Sequence, residues 1–156
     1  MIRIDFLKNH SKHIMQLIRI WDSNTTVVSL PNICINRIQK ELCENLNDKK
    51  LPITFIALDG NIPVGMCSLR KNDGIRPDLT PFLGSIVVDL KYQKQGIGKM
   101  LISRSIEQAK ELGFEKLYLL TFDFKLIKYY LNLGWRKIAT EQLESKPVFI
   151  MGIELI

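Results

Sequence analysis

Apolar and polar residues alternate at the start of the chain and then take the spacing of an amphipathic helix. Met1 to Leu7 alternates well enough to predict a first strand. The next apolar residues recur at i, i+3, i+4 and i+7, the spacing of one helix stripe: Ile14, Leu17, Ile18 and Trp21. The polar run Asn24 to Thr26 predicts the end of this helix. A second helix is predicted after Pro31-Asn32, with Asn32 as its N-cap and with Ile35, Ile38, Leu42 and Leu46 on its apolar side.

Three strands and a loop are predicted in the middle of the chain. Ile53 to Leu58 and Val64 to Leu69 flank Asp59-Gly60-Asn61, a composition typical of a hairpin turn. Lys71 to Pro81 is rich in proline, glycine and aspartate and is predicted to be a loop. Phe82 to Val88 is apolar almost throughout, which predicts a strand buried on both faces.

The C-terminal half alternates helices with strands. Gly96 to Leu112 is predicted to be a long helix followed by Gly113 at the C′ position, and Lys125 to Leu133 a shorter helix ending at Gly134. The last predicted strands are Leu117 to Thr121, Trp135 to Ala139 and Val148 to Leu155. The resulting order, β-α-α-β-β-β-α-β-α-β-β, predicts an α/β fold with a single mixed, largely antiparallel sheet and helices on both faces.

The composition is that of one globular domain spanning residues 1–156. Hydrophobic residues make up 46% of the chain, but no apolar run approaches the ~20 residues that a membrane helix needs. Asp5 and Lys8 interrupt the apolar N-terminus, which therefore does not match a signal peptide. We expect a soluble, cytoplasmic protein. Its formal net charge of +6 indicates an anionic partner of some kind.

No metal site or disulfide framework is expected. Cys34, Cys43 and Cys67 are odd in number and form no Cys-x-x-Cys pair, so they are predicted to be small buried or half-buried thiols. His10 and His13 are spaced i, i+3, but two histidines without a third ligand are far more often surface residues than a metal site.

The segment Val88 to Lys99 joins a predicted buried strand to the long helix through a turn rich in Gln, Lys and Gly. The first N–H groups of a helix lack backbone acceptors and carry a partial positive charge. Gly96 and Gly98 remove the side chains that would keep an anion away, and Lys94 and Lys99 add long-range attraction. The pattern predicts a phosphate-binding turn.

Two common nucleotide signatures do not fit this turn. The Walker pattern requires glycine where Gln93 stands and Ser or Thr where Met100 stands. A dinucleotide fingerprint requires a third glycine at Leu101 and a place in the first βαβ unit. A Gly-x-Gly pair at a helix start is by itself more often a structural turn, so its ligand must be inferred from the surrounding residues.

These surroundings resemble a known family. Gln93-x-x-Gly96-x-Gly98, preceded by Val88-Asp89 and Tyr92, resembles the coenzyme A signature of the GNAT N-acetyltransferase superfamily, (Arg/Gln)-x-x-Gly-x-(Gly/Ala). A second segment, Tyr129-Tyr130-Leu-Asn-Leu-Gly134-Trp135, resembles that family's aromatic-Tyr-x-x-x-Gly-(Phe/Trp) motif. The order of elements agrees from Ile2 to Leu155. The resemblance implies the GNAT fold, with a central strand pair that splays apart to admit the coenzyme, and an acetyl-CoA-dependent acyltransferase.

The resemblance also implies roles for individual residues. Contacts to acetyl-CoA, the implied co-substrate, fall on Ile86, Val87 and Val88 for the pantetheine arm and on Gln93, Lys94, Gln95, Gly96, Ile97, Gly98 and Lys99 for the pyrophosphate. The Val88 N–H is implied to be an oxyanion donor to the thioester, an interaction typically worth ~3 kcal/mol. Tyr130 is implied to protonate the departing thiolate. Tyr129 is expected to pack in the core.

The general base is not identified by the resemblance. Histone-modifying members place a glutamate where this chain has Phe82. A water chain, or Asp73 or Asp78 from the preceding loop, is left as the alternative, with surface solvation the commoner fate of both aspartates. Asp123 stands where many members have a coenzyme-contacting asparagine, and it is expected instead to cap the helix that starts at Phe124.

The expected reaction moves an acetyl group to a primary amine of a small molecule or peptide by direct attack in a ternary complex, because no Cys, Ser or His stands in a nucleophile-base arrangement. The acceptor is expected to enter between Trp21–Ile33 and the loop Lys71–Pro81. The candidate contacts are Trp21, Asn24 and Asp78.

Other classes remain open from the sequence alone. One is a non-catalytic acyl-CoA-binding sensor or regulatory module on the same fold. Another is a nucleic-acid-binding domain, which the positive charge would suit but which no recognised motif supports. No membrane partner is expected. The acceptor and the oligomeric state cannot be read from the sequence, although a homodimer is the commonest assembly in general.

Overall fold

The computed structural model describes residues 1–24 and 35–155, and its elements follow the predicted order. The strands are β1 (Ile2–Phe6), β2 (Ile53–Asp59), β3 (Ile62–Arg70), β4 (Phe82–Val88), β5 (Lys116–Thr121), β6 (Arg136–Leu143) and β7 (Lys146–Glu154). The helices are α1 (Ile14–Ser23), α2 (Ile35–Glu44), α3 (Ile97–Glu111) and α4 (Phe124–Asn132), with 3₁₀ turns at Leu7–His13 and Leu90–Tyr92. The largest differences from the sequence prediction are the 3₁₀ turn at Leu7–His13, which was not predicted, and β6, which continues to Leu143.

The strands form one mixed sheet in the order β1-β2-β3-β4-β5-β7-β6. Neighbours pair antiparallel except β4 and β5, which are parallel. This parallel pair is short: Phe82 pairs with Tyr118 and Leu83 with Leu119, and no further register partners join the two strands. Beyond Leu83 the strands diverge. The sheet therefore contains the splayed central pair that the resemblance implied.

The helices cover both faces of the sheet, as predicted. Alternate residues of β2 point to opposite faces, the period-2 pattern of a strand with two buried sides. Phe55 and Ala57 pack in a cluster with residues of α3 and α4. Ile56 and Leu58 pack in a second cluster with residues of α1 and α2. Each fully buried side chain of this size contributes about 1.5–3 kcal/mol to stability, so the two cores together fix the central strands between the helix layers.

The prediction that β4 is buried on both faces is wrong for its second half. Phe82, Leu83 and Val87 are buried, but the stretch 84–86 and Val88 are only partly buried. The reason is the divergence from β5: once the neighbouring strand leaves, one edge of β4 is open. The sequence shows only that these residues are apolar or small, and not that the strand next to them departs.

Several predictions concern residues outside the described ranges. These are the helix end at Thr25 and Thr26, the N-cap Asn32 and the thiol Cys34. Of the other two cysteines, Cys67 is buried as expected, whereas Cys43 is exposed on α2, so the prediction of burial is wrong for Cys43. Within the described residues, no helix has the length and apolar character needed to cross a bilayer.

Candidate active site

The turn predicted to bind phosphate lies between β4 and α3, and we call its residues, Gln93 to Lys99, the cradle. Gly96 precedes α3 with a φ of +81°, in the left-handed region that favours glycine. The first intrahelical bond runs from the N–H of Met100 to the carbonyl of Gly96, at 3.0 Å. The N–H groups of Ile97, Gly98 and Lys99 therefore precede the first helical bond and are available to a ligand. The cradle thus lies between the end of β4 and the start of α3, a four-turn helix whose first N–H groups suit an anion.

The two glycines leave different kinds of space. A Cβ at Gly96 would meet no heavy atom within 4 Å, so this side of the turn is open. A Cβ at Gly98 would lie 3.8 Å from the hydroxyl of Tyr129 and 4.0 Å from Cγ2 of Val88. Gly98 thus borders a gap between α3, the end of β4 and α4. A methyl group there would enter this gap without clashing with the protein, so the space suits a ligand that runs past the helix start.

The cradle is tied to the rest of the sheet on its outer side. The Asp89 carboxylate accepts from the N–H of Lys91 at 3.1 Å, which caps the 3₁₀ turn. The hydroxyl of Tyr92 donates to Asp59 Oδ2 at 3.0 Å, across to the hairpin between β2 and β3. This hydrogen bond is the main cause of a raised pKa for Tyr92. Both bonds hold the turn in place before any ligand binds.

The backbone of Val88 faces the open edge of β4. The N–H of Asp89 donates to the carbonyl of Val64 on β3 at 2.8 Å. Because successive N–H groups of a strand point to opposite edges, the N–H of Val88 points away from β3 and toward the gap left by β5. The carbonyl of Val88 accepts from Gln93 Nε2 at 3.0 Å and from Asn24 Nδ2 at 3.4 Å. Gln93 and Asn24 therefore brace this strand end with their side chains.

A β-bulge lies in the middle of β4. Met66 pairs with Val87 and Ser68 with Gly84, so Cys67 of β3 faces two residues, Ser85 and Ile86. Ser85 has a φ of +50°, unusual for a residue with a side chain. The bulge falls where β5 departs and re-aims the strand toward Val88. Gly84, an isolated glycine inside an apolar strand, is the signal in the sequence that could have indicated this bulge.

The two tyrosines of α4 occupy different environments. Tyr130 is 6% exposed and belongs to the core cluster that includes Cys67, Leu101 and Trp135. Burial raises its pKa well above the ordinary value of 10, and the neighbouring Tyr129 raises it further. Tyr129 is 40% exposed, packs edge-on against Tyr130 and carries its hydroxyl to the gap beside Gly98. The expectation that Tyr129 only packs in the core is therefore wrong.

A cavity of about 650 Å³ opens on the sheet beside the bulge. Its described walls come from α1, α2, the loop after β3, the middle of β4, the end of β5 and the β6–β7 turn. The lining includes Trp21, Ile38, Glu41, Arg70, Asp73, Gly84, Ser85, Leu120, Phe122 and Leu143. Trp21 lines this cavity, and its contact with an acceptor stays a prediction. Asn24 instead reaches the Val88 carbonyl, between this cavity and the cradle.

Asp78 does not reach the cavity. It pairs with Arg76, whose Nε and Nη2 donate to the two carboxylate oxygens at 2.9 and 2.8 Å. This hydrogen bonding lowers the pKa of Asp78. The proposed acceptor contact at Asp78 is corrected by this placement: a fork-shaped guanidinium two residues away along the loop holds the carboxylate outside. Asp73, five residues earlier, lines the cavity in its place.

A model of the GNAT acetyltransferase family matches residues 16–135, more than three quarters of the chain. This chain belongs to the GNAT family. The match spans the cradle and both tyrosines.

Solved GNAT acetyltransferases share the fold over the full length of this chain. The ribosomal-protein-S18-alanine N-acetyltransferase of Escherichia coli superposes with a TM-score of 0.73 at 18% identity, covering 99% of this chain and 94% of that one. An aminoglycoside 6′-N-acetyltransferase complexed with coenzyme A gives 0.76 at 18% identity, covering 100% and 97%. An acetyltransferase from Streptococcus agalactiae gives 0.75 at 20% identity, covering 98% of each. At these identities the likeness shows the fold.

The structure also bears on two further expectations from the sequence, which concern Asp123 and Phe82. Asp123 caps α4, accepting from the N–H of Lys125 at 2.9 Å, as expected. Phe82, which replaces the glutamate of some GNAT members, is fully buried against Tyr118 and Ile150. Its surroundings are apolar, so the site is built without a carboxylate at this position.

Proposed function

We propose that this protein is an N-acetyltransferase that moves acetyl from acetyl-CoA to a primary amine by direct attack in a ternary complex. The observation that carries the proposal is the arrangement of β4. One strand joins the cavity beside its bulge to the cradle at its end, and its free edge between the two faces an open gap. A donor bound along that edge and an amine bound in the cavity would meet near the bulge.

The coenzyme is assigned to the cradle and the free edge of β4. The N–H groups at the start of α3 suit a pyrophosphate, since they carry the positive end of the helix dipole. Lys94 and Lys99 add positive charge nearby. The edge from Ile86 to Val88 suits the amides of a pantetheine arm, as a strand edge suits an extended peptide. The gap at Gly98 gives the arm room, and the hydroxyl of Tyr129 offers it a hydrogen bond there.

The chemistry follows from the groups along the same edge. The lone pair of a neutral amine forms the new C–N bond at the thioester carbon, and the C–S bond breaks. The Val88 N–H, directed into the gap, would stabilise the developing oxyanion. Tyr130 would give its proton to the departing sulfur, and the nitrogen that has formed the C–N bond would release a proton to solvent, from which Tyr130 recovers its own. Because burial raises the Tyr130 pKa, its phenol remains protonated, and able to donate, throughout the neutral range.

The acceptor must lose a proton before it attacks. An amine of pKa ~10.4 pays roughly 4.6 kcal/mol to be neutral at pH 7, at 1.36 kcal/mol for each pKa unit. Phe82 cannot help with this step. Asp73 is the carboxylate that lies beside Gly84 at the edge of the bulge, so we assign it to bind the ammonium and pass its proton to water.

Free thiol should appear when protein, acetyl-CoA and an amine are combined, and only when all three are present. A thiol-reactive dye measures the release, and mass spectrometry measures acetylation of the amine. Isothermal titration of coenzyme A against the protein without any amine is the companion measurement. Saturable binding without amine-dependent release would instead favour a non-catalytic acyl-CoA sensor. Absence of binding at millimolar coenzyme A would refute the proposed function altogether.

Gly98→Leu is expected to weaken coenzyme binding, whereas Gly98→Ala, which the coenzyme A signature also allows at this position, is expected to preserve it. In a helix alanine is more favourable than glycine by up to about 1 kcal/mol, and the nearest atoms, at 3.8 and 4.0 Å, leave room for the methyl group. A leucine side chain, unlike a methyl group, would fill the gap assigned to the pantetheine arm. We expect Gly98→Ala to show equal or higher resistance to urea with an unchanged coenzyme A Kd, and Gly98→Leu to raise that Kd about tenfold, which is about 1.4 kcal/mol.

Lys110→Ala is the matched control for this variant. It lies on the exposed side of the same helix, about 18 Å along the axis from Gly98 at 1.5 Å per residue. It should leave the Kd unchanged. If Gly98→Leu binds coenzyme A as tightly as the unmodified protein, the arm does not pass this gap.

A further inference from the structure

The described lining of the cavity beside the bulge contains equal numbers of positively and negatively charged side chains. Its described lining contains three cationic residues and three carboxylates: Arg37, Arg70 and Lys71, and Glu41, Asp73 and Glu144. Residues 25–34, which lie between α1 and α2 in the sequence, contain no Lys, Arg, His, Asp or Glu. Their positions therefore cannot alter the balance. A cavity without excess negative charge offers no electrostatic advantage to a polyamine or an aminoglycoside, each of which carries several ammonium groups.

Arg70 organises the charges but is itself occupied. Its Nη1 donates to Asp73 Oδ1 at 2.8 Å, and Nη2 donates to Ser85 Oγ on the bulge. Nη2 also lies 3.6 Å from Glu41 Oε2. The Arg70 side chain is only 19% exposed. A guanidinium held in this way positions its neighbours and has little capacity left for a ligand.

Asp73 keeps one oxygen for a ligand. Oδ1 accepts from Arg70, whereas Oδ2 has no hydrogen bond within the described part of the chain. Oδ2 lies 3.2 Å from the position that a Cβ would take at Gly84, the residue just before the bulge. An ammonium bound at this oxygen would sit beside β4, on the route to the edge that is assigned to the thioester.

Two cations in the same lining are available to an anion. Lys71 forms no ion pair with any described residue. The side chain of Arg37 is 60% exposed, and its one ion pair among the described residues is a long contact of 3.5 Å to Glu41. The apolar wall of the cavity is formed by Trp21, Ile38, Leu120, Phe122 and Leu143. The cavity thus presents a carboxylate, two exposed cations and an apolar wall within about 650 Å³, a volume that suits one small ligand.

We infer that the acceptor is a free α-amino acid with an apolar side chain, and that it is recognised as a zwitterion. Its ammonium binds Asp73 Oδ2, its carboxylate binds Lys71 or Arg37, and its side chain packs against the apolar wall. This inference rests on the proposed function, because it names the amine that the same site acetylates. Transfer follows the balance given above: the amine nitrogen takes the acetyl group, the thiol leaves, and the surplus amine proton passes through Asp73 to water.

The test compares amino acids with their own amides. L-Leucine, L-methionine and L-phenylalanine are each paired with the corresponding amide, which keeps the size and side chain but lacks the carboxylate. The amides are less basic amines and so contain more of the reactive neutral form at pH 7.5, which means that chemistry alone favours them. We expect the free amino acid of at least one pair to have a kcat/KM at least tenfold above its amide and above spermidine.

Substitutions of Lys71, Arg37 and Asp73 test whether these side chains recognise the amino acid. Lys71→Ala and Arg37→Ala should each lower kcat/KM for the free amino acid, and the double variant should lower it at least tenfold. The same variants should change kcat/KM for the amide less than twofold. Asp73→Asn should lower kcat/KM for both members of a pair. Lys110→Ala, on the exposed side of α3 away from this cavity, is the control and should change neither. Urea unfolding of each variant shows whether a loss reflects the fold.

The outcomes separate this inference from the proposed function. Coenzyme A binding and amine-dependent thiol release with spermidine or the amides as the preferred acceptors would overturn the inference and leave the acetyltransferase in place. Coenzyme binding without acetylation of any of the three amino acids would also overturn it. If the double variant still prefers free amino acids over their amides, Lys71 and Arg37 do not bind the carboxylate of the acceptor. Loss of coenzyme A binding altogether would instead refute the proposed function.

Discussion

Tyr130→Phe is expected to lower the rate of acetyl transfer about 100-fold or more, with little effect on coenzyme binding or stability. A positioned proton donor typically contributes 10²- to 10⁴-fold to a rate. The substitution removes only the hydroxyl and keeps the ring, whose centroid lies 6.0 Å from that of Trp135. The measurements are thiol release under saturating substrates for kcat, titration calorimetry for the Kd and urea unfolding for stability.

The pH profile adds a second readout for the same residue. Burial raises the Tyr130 pKa above its ordinary value of 10, so the phenol stays protonated through the neutral and mildly alkaline range. The rate of the unmodified protein should therefore rise with pH as the acceptor amine is deprotonated, with no decline from Tyr130 below pH ~10. A decline near neutral pH that Tyr130→Phe abolishes would contradict the raised pKa of Tyr130, whereas a pH profile and a rate that Tyr130→Phe leaves unchanged would contradict its role as proton donor.

Tyr129→Phe is the matched control for this prediction. The two tyrosines are adjacent on α4, but the Tyr129 hydroxyl lies beside Gly98 at the cradle. Its loss should raise the coenzyme A Kd several-fold, the range of one hydrogen bond, and leave kcat within about threefold. If the two variants exchange these effects, so that Tyr129→Phe loses turnover, then Tyr129 is the proton donor and the role implied by the motif is misplaced by one residue.

Phe82→Glu is expected to destabilise the protein by at least about 3 kcal/mol without supplying a general base. Phe82 is fully buried, and its ring lies 5.7 Å from that of Tyr118 in an apolar cluster with Ile150. Removing a buried phenylalanine costs about 3–5 kcal/mol, and an unpaired carboxyl adds a desolvation penalty. That loss is a large share of the 5–15 kcal/mol that stabilises an ordinary domain.

The dependence on pH distinguishes a buried carboxyl from a simple packing defect. Burial would raise the pKa of the introduced carboxyl above the ~4.3 of the unfolded chain. The variant then loses stability, relative to the unmodified protein, as pH rises above ~4.3. Urea unfolding at pH 4 and pH 7 should show the larger deficit at pH 7, whereas Phe82→Leu should cost about 1 kcal/mol at both. A variant as stable as the unmodified protein, with faster turnover, would show that this position accepts a base.

The motifs of the cradle could be read from the sequence because they depend on local chemistry. Gly96 must adopt a left-handed φ before α3, and Gly98 must carry a side chain no larger than a methyl group, so both requirements fall on residues close together in the chain. The same holds for the Asp123 cap of α4. Such features involve contacts over two to four residues, and residue type and spacing suffice to predict them.

The acceptor cavity could not be read in this way because its walls come from distant parts of the chain. Asp73 and Asp78 are equivalent in the sequence, two aspartates of one loop. The structure separates them because Arg76 donates hydrogen bonds to Asp78, whereas Arg70 of β3 donates to Asp73, whose second oxygen lies beside Gly84. The difference between Tyr129 and Tyr130 has a similar origin: only the packing of α4 on the sheet decides which hydroxyl lies beside the cradle.

By itself, the sequence determined the order of strands and helices, the family and the turn that suits a pyrophosphate, because hydrophobic period, glycine placement and capping act over neighbouring residues. The tertiary structure decided where β4 leaves β5, where the bulge at Ser85 falls and which charged side chains share one cavity. These features arise from the pairing of strands far apart in the chain, and the isolated Gly84 in β4 does not by itself fix the register between β3 and β4.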